Sequence, residues 1–179
     1  MISKLIIYLC FFCFLLGCQD PRSEREKVRD RILNQLAKQM QKKGLIAIGS
    51  GGGCTLDRKI NLISMVFTYQ KVMNMPEARE LIVECIQTLL NLMNANPDNK
   101  QYFEKFPATE NIMSIAILGQ KCQTDLNCVE VVNIIKGTIY YNIYHPFPEF
   151  REIYLTLKKE SFEEAQKILA SDAASGGIG

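Results

Sequence analysis

The sequence predicts an α+β domain: a mixed or antiparallel sheet of about five to six strands, covered by two or three helices and preceded by a charged N-terminal helix. Two patterns predict it. Apolar residues recur at helical spacing from Pro76 to Asn94, and two alternating apolar segments flank the dipeptide Lys136-Gly137. At 179 residues, of which 47% are hydrophobic and 22% charged, the chain has enough material for one globular core.

The first element is predicted to be a charged helix from Ser23 to Lys43. Ser23 and Glu26 form a capping-box pattern at its start, and Gly44 follows its end. Its apolar stripe is thin and consists of Val28, Ile32, Leu33, Leu36 and Met40. A helix of this length reaches about 30 Å. It either holds the rest of the domain away from a surface or packs on the domain's own sheet.

A glycine-rich segment follows the short apolar strand Leu45 to Ile48. Residues 49–53 are predicted to form a flexible or tightly turned connection, with a β-bulge or a close backbone approach as the alternatives. A dinucleotide-binding turn would need a third glycine where Cys54 stands, an acid about twenty residues further on, and a helix directly afterwards. The next segment, Lys59 to Tyr69, instead reads as a long strand. The motif therefore predicts no cofactor.

The helix from Pro76 to Asn94 is predicted to cover the sheet with the face that carries Leu81, Cys85 and Leu89. Residues 112–118 are predicted to form the third strand.

A hairpin is predicted from residues 129–135 and 138–144. A two-residue turn would oppose Ile135 to Thr138 and Ile134 to Ile139. This register places Asn133, Tyr140 and Asn142 on one face. The other face is apolar and carries Val132, Ile134, Ile139, Tyr141 and Ile143.

The last elements are an edge strand and a helix. Residues 151–158 alternate and end in two lysines, as edge strands prefer. Ser161 to Glu164 is a second capping box, which opens a helix to about Leu169. The globular domain is thus predicted over residues 44–170, with residues 171–179 as a disordered tail.

The chain begins with a segment unlike the rest. Leu5 to Leu16 is an uninterrupted apolar run of twelve residues behind one lysine. A spanning helix needs about twenty apolar residues, so this run has the length of a signal-peptide core. Residues 1–17 are therefore predicted to be a signal peptide.

Leu15-Leu16-Gly17-Cys18 resembles the lipobox of bacterial lipoproteins. The resemblance implies that Cys18 is acylated and becomes the new N-terminus, with residues 18–22 as a lipidated linker and the membrane as a partner through the anchor. The alternative is an ordinary secretory signal cut elsewhere. Gln19, where lipoproteins retained in the inner membrane have Asp, implies the outer membrane, facing the periplasm.

Four cysteines remain after the signal and the anchor: Cys54, Cys85, Cys122 and Cys128. Three complete pairings are open to them. Cys122 and Cys128 flank a short polar loop and are the candidate local disulfide, whereas Cys85 is predicted to be a buried small hydrophobe. A zinc site is disfavoured because these four cysteines form no C-x2-C motif and His145 is the only histidine.

Short motifs spread over most of the chain after Cys18 resemble an uncharacterised family of envelope lipoproteins in chlamydia-like intracellular bacteria. They include the triple glycine 51–53, Phe106-Pro107, the hairpin motif KGxIYY at residues 136–141 and the segment from Ser161 to Ala165. The resemblance implies an envelope lipoprotein, and it implies no activity, cofactor or catalytic residue.

Composition weighs against one class of partner. Twenty-one Lys and Arg against 19 Asp and Glu give a formal charge of +2, so no field would gather nucleic acid.

Two function classes stay open. The first is a non-catalytic binding or structural module, whose partner could be an envelope protein or peptidoglycan. Its contact surface could include the aromatic residues Tyr140, Tyr144, Phe147 and Phe150, unless these pack beneath the edge strand. The alternative is an envelope hydrolase that uses Cys54 with His145, oriented by Asn142 or Asn133.

Overall fold

Three helices and eight strands occur in the residues that the computed structural model describes, which are 22–122, 128–145 and 153–175. The predicted signal peptide, Cys18 and most of the linker lie outside the described residues. In chain order the elements are α1 Glu24–Gln41, β1 Leu45–Cys54, β2 Ile60–Tyr69, β3 Met73–Asn74, α2 Met75–Asn94, β4 Met113–Leu118, β5 Cys128–Val129, β6 Val131–Ile135, β7 Thr138–His145, β8 Ile153–Ser161 and α3 Phe162–Ser175. Short 3-10 turns cover Pro97–Gln101 and Glu110–Ile112.

The main sheet has six strands in the order β1-β2-β4-β6-β7-β8, and β3 and β5 form a separate two-stranded sheet. Neighbouring strands of the main sheet are antiparallel except β2 and β4, which are parallel. A parallel pair needs a long crossover, and α2 supplies it. The predicted α+β class and the mixed six-stranded sheet are confirmed.

Helix α2 forms where the sequence predicts it. The Asn74 side chain accepts a hydrogen bond from the Glu77 amide at 2.9 Å, and Pro76 lies in the first turn. The predicted core face is buried, with Cys85 and Leu89 at 0% exposure. Because that face meets β4 and β6, α2 lies over the centre of the sheet.

Helix α1 belongs to the domain core. The predicted capping box is present: Ser23 Oγ accepts from the Glu26 amide, and the Ser23 amide donates to the Glu26 carboxylate at 2.7 Å. Its five stripe residues are all buried, against α2 and β1. Of the two predicted placements, packing on the domain is therefore the one adopted, and α1 is not a spacer.

The predicted connection at residues 49–53 is wrong in its main point, because these glycines continue strand β1 as far as Cys54. They pair with β2, Gly49 opposite Val66 and Gly53 opposite Leu62. The predicted bulge does occur, since the register shifts between Ala47 and Gly49 and again before Cys54. The turn lies further on, between Cys54 and Ile60.

The predicted hairpin of β6 and β7 is confirmed in its register, with Ile135 opposite Thr138 and Ile134 opposite Ile139. Lys136 and Gly137 have φ of 48° and 79°, as a two-residue turn of this hairpin class requires. The apolar face of the hairpin is buried at Val132, Ile134, Ile139 and Tyr141.

Strand β8 is an edge of the sheet, as predicted, and the second capping box opens α3: the Glu164 amide donates to Ser161 Oγ at 3.1 Å. The helix runs to Ser175, so the prediction of a disordered tail is wrong for residues 171–175, and residues 176–179 lie outside the described residues. The apolar spacing fades after Leu169, but the alanines that follow favour helix without needing burial.

The three helices share one face of the main sheet, since α2 contacts both α1 and α3 and all three contribute to one core. Within the described residues, no helix is both long enough and apolar enough to cross a bilayer.

Candidate functional site

The face of the main sheet that points away from the helices is partly exposed, and we call it the open face. In β2 and β4 the residues that alternate with the buried ones point to it. Two large aliphatic side chains at its β1–β2 side are more exposed, Ile46 at 46% and Leu62 at 39%. The other residues of the central strands on this face, which are less exposed, are Ser64, Val66, Thr68, Ser114, Ala116 and Leu118. The open face is therefore a mixed surface of aliphatic side chains and small side chains, several of which carry hydroxyl groups.

A polar row crosses the open face over β6, β7 and β8. Asn142 Nδ2 donates to Asn133 Oδ1 at 2.9 Å, and Thr156 Oγ1 donates to Asn142 Oδ1 at 2.8 Å. Asn133 and Asn142 thus share a face, as the predicted register requires. Because these side chains bond to one another, the row stabilises strand pairing. Asn142 is itself buried, so only Asn133 and Thr156 of the row reach solvent.

A buried ionic cluster lies on the opposite, helix-covered side. Arg79 of α2 donates from Nε to Glu160 Oε1 of β8 at 2.7 Å and from Nη2 to Oε2 at 3.3 Å. Tyr141 of β7 donates its hydroxyl to Glu160 Oε1 at 2.5 Å, and Lys158 Nζ lies 2.6 Å from Oε2. The Arg79 guanidinium also stands 5.8 Å from the centre of the Tyr141 ring. The Glu160 carboxylate therefore has three donors.

The pKa values in this cluster follow from its contacts. Burial favours the neutral form of Glu160, but hydrogen bonds from Arg79, Lys158 and Tyr141 outweigh it and lower the pKa of Glu160 to about 2. Burial, reinforced by the Glu160 carboxylate, raises the pKa of Tyr141. The hydrogen bond to Glu160 raises the pKa of Arg79. At neutral pH Glu160 is therefore ionised, Arg79 is charged and Tyr141 is protonated. The role of the cluster is structural: it connects α2 to β7 and β8.

This cluster was not predicted from the sequence. Arg79 stands among apolar residues on the core face of α2, and Glu160 follows the alternating edge strand. Either residue alone reads as a solvated charge. Only Arg79 gave a signal, because it interrupts the core-facing pattern of α2. Glu160 is out of phase with the apolar positions of its strand, and it reaches the buried side because the register of β7 and β8 shifts between Tyr141 and Asn142.

The predicted Cys54 and His145 dyad is not assembled. Cys54 ends β1 and His145 ends β7, and four strand spacings of about 4.8 Å, or about 19 Å, separate these strands. The two residues also lie at opposite ends of the sheet, because Cys54 is paired with Ile60 at the start of β2 whereas β7 starts at that end and His145 finishes it. The hydrolase alternative built on these residues is therefore wrong.

The cysteines differ in environment. Cys54 is free and exposed, whereas Cys85 is free and buried as predicted, and burial raises the pKa of its thiol. Cys122 and Cys128 are joined in a disulfide, with their Cα atoms 6.2 Å apart. The Cys122 amide also donates to Glu130 Oε1 at 2.7 Å, which ties the bridge to the chain that leads into β6.

The predicted aromatic surface is described only in part. Tyr140 is partly exposed on the open face, opposite Asn133. The side chain of Tyr144, and Phe147 and Phe150 altogether, lie outside the described residues.

Comparison with known proteins adds no relative: no family model matches the chain, and no curated protein or solved structure matches it at a significant level. The resemblance to envelope lipoproteins therefore stays a prediction from short motifs, and the function has to be argued from the chain itself.

Proposed function

We propose that this chain is an exported lipoprotein, anchored by acylated Cys18, that serves as a non-catalytic binding or structural module of the cell envelope. The observation that carries the proposal is the twelve-residue apolar run that ends in Leu15-Leu16-Gly17-Cys18. Two or more acyl chains hold a protein stably on a bilayer, whereas one chain binds only marginally. The anchor is thus a permanent tether, and we place it in the outer membrane, facing the periplasm.

The position of α1 supports a domain that sits close to the membrane. Only five residues lead from Cys18 to Ser23, the N-cap of α1. An extended chain of five residues spans at most about 18 Å. Because α1 is packed into the core, it adds no reach, and the lipid would hold the folded domain directly at the bilayer surface.

The open face supports the binding role. It combines exposed aliphatic side chains with the polar groups of Asn133 and Thr156, which the buried Asn142 holds in place. Surfaces of this mixed kind serve protein partners, in which apolar contacts give affinity and polar groups fix the geometry. We propose an envelope protein as the partner of this face.

The anchor is tested by changing Cys18→Ala and following palmitate incorporation and membrane fractionation. We expect the variant to lose the label and to leave the membrane fraction, because the short apolar run cannot hold the chain alone. Cys13→Ala, a cysteine of the same predicted signal, is the matched control and should keep the label. Equal palmitate in Cys18→Ala and in the unaltered chain would overturn the proposal.

The binding surface is tested separately with a photo-crosslinking residue. Placed at Ser64 on the open face, it should give a discrete adduct with one envelope protein in intact cells. Placed at Gln87, which is exposed on α2, it should not. Adducts of the same size from both positions, or from neither, would refute the assignment of the open face.

A further inference from the structure

The turn between β1 and β2 holds a leucine fully in solvent. The Thr55 amide donates to the Lys59 carbonyl at 2.8 Å, the Arg58 amide donates to the Thr55 carbonyl at 2.9 Å, and the Lys59 amide donates to Thr55 Oγ1 at 3.1 Å. Arg58 adopts a left-handed φ of 60° to close the turn. Leu56 at its apex is 102% exposed. These hydrogen bonds fix the conformation of the turn, so that Leu56 points into solvent and does not pack on the domain.

Cationic side chains surround this apex. Arg25, in the first turn of α1, donates from Nη1 to the Arg58 carbonyl at 3.0 Å, and Lys59 Nζ donates to the Gln101 carbonyl. Carbonyl oxygens do not neutralise a positive charge, so Arg25 and Lys59 keep theirs. We call Leu56, Arg58, Lys59 and Arg25 the basic tip.

The acids near the basic tip compensate only part of its charge. Glu26 accepts from the Ser23 amide and hydroxyl, and its pKa is lowered by these hydrogen bonds. Glu24 lies 2.8 Å from Lys27, which is outside the tip. Asp57 is the acid of the turn itself and is exposed. The charge of Arg25 also lowers the pKa of Glu26, so Glu26 counts against the tip together with Asp57. Three cations against these two acids leave one positive charge in excess.

The basic tip lies at the end of the domain where the described chain begins. Ser23 caps α1 two residues before Arg25, whose guanidinium contacts the turn, and Cys18 is five residues before Ser23. A tether of at most about 18 Å allows the tip to reach the headgroup layer, which is several Å deep on each side of the hydrocarbon.

We propose that the basic tip is a second membrane contact, in which Leu56 enters the headgroup region and Arg25, Arg58 and Lys59 bind anionic phospholipid. This inference rests on the proposed anchor at Cys18. Each basic residue near an anionic surface strengthens binding about five-fold, and an inserted leucine adds apolar burial. The tip fixes which side of the domain faces the bilayer, and it leaves the open face accessible from the side.

The test uses the chain from Gln19 to Gly179 without lipid, which contains every described element. Cys54, exposed and one residue before the turn, takes a polarity-sensitive thiol probe, while Cys85 is buried and Cys122 is bonded to Cys128. With vesicles of phosphatidylcholine and phosphatidylglycerol, we expect a blue shift of the probe and co-sedimentation that high salt weakens. Vesicles of phosphatidylcholine alone should bind at least ten-fold more weakly.

Two variants assign the contact to the tip. Leu56→Ser should reduce binding several-fold, and Arg58→Asn, which tolerates a left-handed φ, should reduce it about five-fold. Leu157→Ser, at an exposed leucine of β8, is the control and should bind as the unaltered chain does. If Leu56→Ser and Arg58→Asn bind as tightly as the unaltered chain, or if anionic vesicles give no blue shift, the proposal is overturned. Because this chain carries no lipid, that result would leave the palmitate test of Cys18 untouched.

Discussion

Glu160 shows how a single buried charge can fix the position of a helix against an edge strand. Its side chain is 4% exposed, so ionisation in this site depends wholly on the donors Arg79, Tyr141 and Lys158. A complete network of this kind adds only modestly to the stability of the fold, but a network that has lost one partner leaves an uncompensated buried charge. The cluster therefore favours the native placement of α2 over β7 and β8 more than it adds stability outright.

Removing the Glu160 charge should expose this dependence. We expect Glu160→Gln to lower the free energy of unfolding by about 3 kcal/mol, because Arg79 then stays buried without its counter-charge. Urea denaturation followed by circular dichroism measures the change. The control is Glu163→Gln, whose carboxylate forms an exposed pair with Lys167 and should change stability by less than about 1 kcal/mol. Equal effects of the two substitutions would contradict the structural role of the cluster.

The same residue predicts a pH dependence of stability. The pKa of Glu160 is lowered from an ordinary value of 4.5 to about 2 in the folded chain. A lowered folded pKa stabilises the fold above the unfolded value, and this stability is lost as the pH falls from about 4.5 towards 2. Denaturation at a series of pH values should show a steeper loss across this window in the unaltered chain than in Glu160→Gln. Parallel curves would assign the acid sensitivity to other carboxylates.

At the scale of elements, a helix or strand could be predicted when the interactions that form it lie within a few residues of one another in the sequence. The register of β6 and β7 could be predicted because a two-residue turn and an alternating pattern act within a few residues. The caps of α1 and α3 are equally local. The glycine-rich second half of β1 could not be predicted, because its glycines carry no strand preference and are held extended by pairing with β2.

Close approach to neighbours explains why one of these glycines is needed. A Cβ on Gly52 would lie 2.6 Å from the Leu62 carbonyl oxygen and 3.2 Å from Arg29 Cδ, whereas one on Gly49 would meet only Val66 Cβ, at 3.9 Å. We expect Gly52→Ala to destabilise the domain by about 2 kcal/mol and Gly49→Ala to be neutral or slightly stabilising. Thermal unfolding of both variants measures the difference. A tolerated Gly52→Ala would show that β1 and β2 can separate at this point without cost.

At the scale of the whole molecule, the contacts that build the candidate sites are distant in sequence. Arg79 and Glu160 are 81 residues apart, and Arg25 and Arg58 are 33 apart. Periodicity reports which face of an element is buried, but it does not say which elements become neighbours. The sequence therefore predicted the class of fold and the burial of Cys85, whereas the separation of Cys54 from His145 depends on strand order, which only the folded arrangement supplies.

The three described cysteine environments give the whole fold a chemical test. Under native conditions a thiol reagent should modify Cys54 rapidly and Cys85 only after unfolding, because Cys85 is buried and its pKa is raised.

Mass mapping should find Cys122 and Cys128 joined before reduction. Their sequence separation of 6 closes a small loop, so reduction should cost at most about 2 to 3 kcal/mol and lower Tm by roughly 5 to 10 °C without unfolding the domain. A Cys122→Ser, Cys128→Ser double variant should reproduce this shift and become insensitive to reductant. Rapid native labelling of Cys85 together with free Cys122 and Cys128 would contradict both the packing of α2 on the sheet and the local bridge, whereas a bridge with labelled Cys85 would place the error in the helix alone.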